Sequence, residues 1–430
     1  MSVSVPGEGL RPRAPVSGWT RRRVYSARPM GLEILTTHTG SLIRPRALAE
    51  LMIAGPPPDE CAREHRDLVI ADAAAEAVRQ QLEVGLDVIN DGEMGKANWI
   101  SYLYERVDGI EYRPIVRERS TSNLPPSRDR QAFPGFYGEH DAAVDRARRE
   151  AAQARSEGEE EVSHAWVCTG PLRYDPTAVE RDIANLRAAV ASADVADTFL
   201  PVVAPASAYW LINEHYASEE DFVFAVADVL AEEYRHIVDA GILLQVDDAV
   251  LMHECDSVLA SGGSFADYRR WAELRIEALN HALRGLPRER VRYHVCWGSW
   301  HGPHAFDPPL ADVIDLVLKV TAGYYLIEQA NPRHEHEWAL WEDVSLPPGS
   351  VLVPGVVTHH TNVVEHPELV AERLVRVAQL VGRDRVMGGT DCGFAQSAFT
   401  QRVHPEIQWA KLRALVEGAR IASDRLWRAR

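Results

Sequence analysis

The sequence predicts a single (β/α)8 barrel, an α/β fold. Short β-rich runs alternate with helical stretches over about 390 residues, the mark of a parallel sheet. Eight or nine such runs occur without a GxGxxG opening, which favours a closed barrel over a doubly wound sheet.

In chain order the strands are predicted at 35–41, 87–91, 164–169, 200–204, 243–247, 292–297, 324–328, 351–357 and 385–391. Helices are predicted at 62–83, 219–240, 265–283, 310–322, 366–381 and 404–422, where apolar residues recur at helical spacing. That is one strand too many for a barrel. The surplus is expected at 164–169, because it follows the least regular part of the chain. This part, an insertion at about 112–163, is Ser- and Pro-rich at 120–127 and strongly polar at 145–161. It reads as a solvated insertion or as a lid, with Phe133, Phe136 and Tyr137 available for packing.

Composition bounds the function. Of 430 residues, 46% are hydrophobic and 25% charged, as in ordinary globular proteins. Acidic residues outnumber basic ones by 63 to 46, for a formal charge of −17. Neither nucleic acid nor an anionic membrane surface is then an expected partner. There is no run of 18 apolar residues. Residues 1–31 are expected to form a disordered extension, with Met30 a candidate start. The barrel then occupies 32–430. Five cysteines, an odd number, make no disulfide framework and fit a reducing, cytoplasmic setting. A homo-oligomer stays open.

Three strand ends carry candidate chemistry. His294 and Cys296 are two apart, so in a strand they face the same side. Glu328 ends the next strand and Cys392 follows the last. Active sites of such barrels sit at the C-terminal strand ends. One imidazole, two thiolates and a carboxylate suit Zn²⁺. The plainer alternative is two buried core cysteines and a satisfied core histidine.

His294-Val-Cys296, Ile327-Glu328 and Asp391-Cys392-Gly393 resemble the zinc-binding pattern of the catalytic barrel of the cobalamin-independent methionine synthase family. The likeness extends to Thr36-Thr37-His38-Thr39-Gly40-Ser41, to Gly85-Leu86-Asp87-Val88 with Asp91-Gly92-Glu93, to Gln245-Val246-Asp247, and to Gly355-Val356 with His360. It spans roughly residues 32–425. The resemblance implies a zinc-dependent methyl or alkyl transfer to a substrate thiol. It makes His294, Cys296, Glu328 and Cys392 the metal ligands. Glu93 and Asp247 would hold the amino group of homocysteine. Ser41 would touch the amino-acid substrate, and His360 would be the general acid, with His359 as neighbour. On this resemblance the chain is expected to be a stand-alone catalytic half, without the family's duplicated N-terminal barrel.

The segments 297–304, 331–338, 364–370 and 389–394 resemble instead the short single-barrel branch that includes epoxyalkane:coenzyme M transferase. That implies an alternative, epoxide opening by a zinc-bound thiolate. The implied partners are a small thiol and an alkyl donor, either a methyl-folate or an epoxide. A free thiol with a pKa near 8.5 is only a few per cent thiolate at neutral pH, and a metal removes that barrier. A metal-storage protein would have no use for Glu93, Asp247 and His360, and a metal-free decarboxylase barrel would leave the cysteines unexplained.

Other residues read as structural first. His334-Glu335-His336-Glu337 suits a rim, and His301 and His304 a loop. Cys168 and Cys255 match no ligand position. Trp210 packs or stacks on a flat substrate, and Arg44 and Arg333 are candidate clamps for an anionic tail.

Overall fold

The computed structural model describes residues 33–115, 126–142, 146, 164–398 and 401–428. The expected N-terminal extension and much of the 112–163 insertion fall outside the described residues. Strands are β1 (Val88–Ile89), β2 (Val107–Pro114), β3 (His164–Tyr174), β4 (Asp197–Val203), β5 (Ile212–Asn213), β6 (Leu243–Asp247), β7 (Val291–Val295), β8 (Tyr324–Ile327), β9 (Val351–Val357) and β10 (Gly389–Thr390).

Seven of them form a parallel sheet in the order β1-β4-β6-β7-β8-β9-β10. The sheet curls back on itself. Thr36 bridges to Gly388 beside β10, and Thr37 bridges to Val88 on β1, both parallel. The predicted strand at 35–41 is therefore reduced to two isolated bridges. Its Thr36 amide bonds to the Asp87 carboxylate at 2.7 Å rather than to a neighbouring backbone.

The expected surplus strand is β3, and it lies outside the parallel sheet. It pairs antiparallel with β2 and parallel with β5 in a separate three-stranded sheet. β2 was not expected. Its faces alternate poorly and Tyr112 stays 60% exposed, so the sequence shows no clean two-residue period.

Helices cover the sheet's outer face, and their ends follow local chemistry. Asp59 caps the Glu60–Val84 helix through the Ala62 amide, and Gly85 closes it in the left-handed region at φ 92°. Ser218 caps Glu219–Asp239, whose first turn carries three acidic residues. Ser264 and Asp267 form a capping box on Phe265–Ala282. The helix expected at 310–322 stops at Val317. Asn280 intercepts the following backbone, bonding the Lys319 carbonyl and the Thr321 amide at 2.9 Å each.

Two apolar layers hold the molecule. The large one lies between sheet and helices. The small one gathers Val88, Phe199, Leu243, Leu326, Val353 and Met387, side chains from or beside six strands, inside the curl. Arg292 of β7 lies over the Phe199 ring at 3.7 Å, and its guanidinium bonds Thr37 and the His38 carbonyl. Phe199 therefore supports both the inner layer and the arginine that ties the first segment to β7. Phe199→Ala should cost about 3–5 kcal/mol. Urea unfolding followed by circular dichroism would register this as a lower midpoint, and an unchanged midpoint would refute the role given to this layer.

Candidate functional site

β7 ends one residue before Cys296, and β10 ends two residues before Cys392. The parallel arrangement delivers both thiols to the same end of the sheet. Their sulfurs lie 3.9 Å apart. His294 of β7, two residues before Cys296, joins them: the three ligand atoms all lie within 4.8 Å of one another, and all three residues are buried. Neither ring nitrogen of His294 meets a hydrogen-bond partner in good geometry among the described residues, the Cys392 sulfur being the polar group that acts on it. Gly393 lets the Cys392 turn press against the first segment. A Cβ on Gly393 would stand 2.0 Å from Ser41 Oγ.

The thiols are electrostatically unequal. The hydrogen bond from Cys296 holds the Cys392 thiol well below the usual range despite burial, with help from His294. The same shared proton, together with burial, pushes Cys296 well up. Burial pulls His294 down, but Cys392 and the nearby carboxylates Asp247 and Glu328 outweigh it and leave His294 raised. Two basic ligands and one acidic thiol crowded together are the donor set of a soft, N/S-coordinated cation.

Glu328 stands close by but in a second grouping, with His359 and His360. Its carboxylate accepts from the Asn331 side chain at 2.6 Å and the Trp297 amide at 3.2 Å. Burial and the Cys392 charge raise its pKa. His359 is fully buried with both ring nitrogens unpartnered, and burial drives its pKa to about 3. His360 is less buried, 4.8 Å from the His359 ring and 5.9 Å from the His301 ring. Burial, then the charges of His301, His304 and Arg402, lower it to about 4. His360 is thus neutral at neutral pH.

A cavity of about 320 Å³ opens over the thiols. Ser41, Glu93, Asp247, His294, Cys296 and Cys392 line it, whereas Glu328 and His360 do not. Glu93 has a left-handed backbone, φ 57°, unusual for a residue with a Cβ. Three contacts hold it there. Asp91 accepts its amide at 2.9 Å, Arg44 bonds its carbonyl at 3.1 Å, and Lys96 pairs with its carboxylate at 3.1 Å. Neighbouring Gly40 is required for close approach, since a Cβ there would sit 2.7 Å from Glu93 Oε1. Asp247 accepts from Gln245 at 2.8 Å, and burial lifts its pKa to about 7. Ser41 Oγ accepts from the Ala395 amide at 3.3 Å.

Several lining residues were not expected at the site, although Tyr137 was a candidate for packing. Trp99, Trp300, Tyr137 and His140 wall the cavity together with Trp210. Tyr137 and His140 come from the described part of the insertion, residues 126–142, which contributes to the cavity wall. Tyr137 is buried and accepts from Trp300 Nε1 at 3.3 Å, while Phe133 and Phe136 remain about 40% exposed. Of the candidate anion clamps, Arg44 is spent on the carbonyls of Glu93 and Ala395, and Arg333 bonds the Ala305 carbonyl. Arg402 and Arg130 line the cavity instead.

Residues 206–419 match the family model described as "Cobalamin-independent synthase, Catalytic domain". The chain is 24% identical over 405 residues to a methionine synthase of Thermococcus kodakarensis, covering 93% of this chain and 96% of that protein. It is 26% identical over 405 residues to the 2-hydroxypropyl-CoM lyase of Xanthobacter autotrophicus, covering 87% and 89%. Among solved structures, a B12-independent methionine synthase from Shewanella sp. W3-18-1, in complex with selenomethionine, superposes with a TM-score of 0.65 at 19% identity. The match covers 92% of this chain and all of that one.

The loops bearing Cys296 and Glu328 are locked together behind the site. His334 stacks on Trp297 at 3.6 Å and bridges Asp307 at 3.1 Å and Glu337 at 3.0 Å. Burial opposes its charge, but the two carboxylates prevail and raise its pKa to about 9. A histidine raised on folding adds stability that is complete below its unfolded pKa of about 6.5 and is lost as pH rises through about 9. Wild-type stability should therefore fall across this window, and His334→Gln should flatten the fall. Equal slopes in denaturation series at several pH values would disprove the clamp.

Proposed function

We propose that this chain, whose residues 206–419 match the model of cobalamin-independent synthase catalytic domains, is a member of that family and a zinc-dependent enzyme transferring a methyl or other alkyl group to a substrate thiol. The first reading is methyl transfer to homocysteine, the activity that the names of the methionine synthase relatives carry. We read 32–430 as one (β/α)8 catalytic barrel with an insertion at about 112–163. Counting the Thr36–Thr37 bridges as a strand gives eight, which supports that reading.

One observation carries the proposal: buried His294, with neither ring nitrogen hydrogen-bonded in good geometry, beside two thiols 3.9 Å apart. Tetrahedral zinc with Zn–S bonds of about 2.3 Å separates two sulfurs by about 3.8 Å, so the donor set fits the ion. His294, Cys296 and Cys392 would hold it, with Glu328 as the fourth ligand. Bound there, zinc would supply the acidity that makes a substrate thiol a thiolate at neutral pH.

The remaining steps fall to this chain's own groups. Glu93 and Asp247 bind the amino end of the thiol substrate. Ser41 orients it at the base of the cavity. The Trp99, Trp210 and Trp300 walls exclude water from the reacting sulfur. His360 takes up a proton as charge develops on the donor and delivers it to the leaving atom. Its low pKa means that this proton uptake must be driven by the developing charge.

A second reading, thiol opening of an epoxide, has its own support. The small cavity with indole walls suits a compact apolar electrophile, and a relative is named 2-hydroxypropyl-CoM lyase.

Zinc analysis and product mass spectrometry test the proposal together. Purified protein should hold about one zinc per chain, and Cys392→Ser should lose most of it. Supplied with homocysteine and a methyl-folate, the zinc protein should yield methionine. A hydroxyalkyl thioether from a thiol and an epoxide would select the second reading. Absence of any thioether from zinc-loaded protein would overturn both.

A further inference from the structure

The cavity holds a cation that neither the fold nor the proposed chemistry uses. Arg402 lines it together with Cys392. Its Nε donates to Gln396 Oε1 at 2.8 Å, and the Gln396 amide donates in turn to the carbonyl of Gly393, the residue after Cys392. Gln396 thus fixes the guanidinium relative to the thiol site. Only Nε is consumed. Neither Nη has a hydrogen-bond partner among the described residues, and there Arg402 makes no ion pair.

The cavity's other arginine differs in this respect, since Arg130 is paired with Asp141 at 2.6 Å. Lys96, behind the wall, is paired with the lining Glu93 at 3.1 Å. Asp247 is not within ion-pair distance of Arg402. Among the described residues, Arg402 is therefore a cavity cation without an ion-pair partner, the nearby Cys392 sulfur being the negative charge that acts on it. A partly buried charge without a partner is costly, and an incoming anion would remove that cost. Two free Nη groups in a planar fork match the two oxygens of a carboxylate or sulfonate.

We propose that Arg402, anchored by Gln396, is the receptor for an anionic group, a carboxylate or sulfonate, on one of the two substrates. This rests on the thiol-alkylation reading for what the anion is attached to, but not for its binding. The group could come from the thiol or from the alkyl donor.

Anion binding can be read without chemistry. Trp99, Trp210 and Trp300 share the cavity, so ligand entry should change tryptophan fluorescence. Zinc-loaded full-length protein would be titrated with propionate, ethanesulfonate and 1-propanol. Both anions should bind more tightly than propanol. Arg402→Gln should weaken them about 10- to 100-fold, the loss typical of a charged hydrogen bond, with propanol unaffected. Arg402→Lys should restore part of the affinity. Zinc content and melting temperature, read in parallel, separate this from misfolding. Turnover assigns the source. A raised KM for 3-mercaptopropionate but not 2-mercaptoethanol, with kcat kept, places the anion on the thiol. A raised KM for a methyl-folate alone places it on the donor. Propionate that binds Arg402→Gln as tightly as wild type overturns the proposal, as does weakened propionate binding with no KM altered. Failure to form any thioether while propionate binding still depends on Arg402 would sink the alkyl-transfer reading and leave the anion receptor standing.

Discussion

Burying an imidazole without a hydrogen-bond partner in good geometry costs about 1–3 kcal/mol, and His294 sits in that position between strands that bring two thiols within 3.9 Å. Much of the surrounding architecture serves that meeting. The parallel sheet carries β7 and β10 to the same end. The curl, fastened by the Thr36 and Thr37 bridges, brings Ser41 against Gly393. His334, stacked on Trp297, keeps the two intervening loops from drifting apart. An arrangement that pays for an unsatisfied histidine gains from a ligand that satisfies it.

The parallel strands were legible because most are short apolar runs set between longer helical stretches. The H-x-C spacing was legible for the same reason, since alternation along a strand puts His294 and Cys296 on one side. The extra strand at 164 could be suspected from its irregular neighbourhood, but its partner β2 could not. A half-exposed strand with Glu111 and Tyr112 facing outward has no hydrophobic rhythm to detect. The truncated helix at 310–317 shows the same limit, because Asn280 acts on it from another helix.

The candidate site divides along a similar line. Residues at strand ends could be read from the sequence because a parallel sheet fixes where strand ends go. Residues brought in from loops could not. Lys96 meets Glu93 through a single left-handed residue, and Arg402 reaches the cavity from a stretch with no motif of its own. Tyr137 is the instructive case. Its aromatic neighbours Phe133 and Phe136 looked equally fit to pack, yet only Tyr137 has a polar atom within reach of Trp300, and it is the one buried. Just such loop residues shape the cavity over the strand ends.

Cobalt substitution tests the central claim most directly. Co²⁺ in place of zinc should give one metal per chain, with the intense charge-transfer absorption of cysteine thiolates and the visible bands of a tetrahedral ion. Adding homocysteine or 2-mercaptoethanesulfonate should then alter that spectrum, because a catalytic site keeps one position exchangeable. A protein that binds no stoichiometric metal through Cys296 and Cys392, or whose cobalt spectrum ignores every added thiol, would contradict the account.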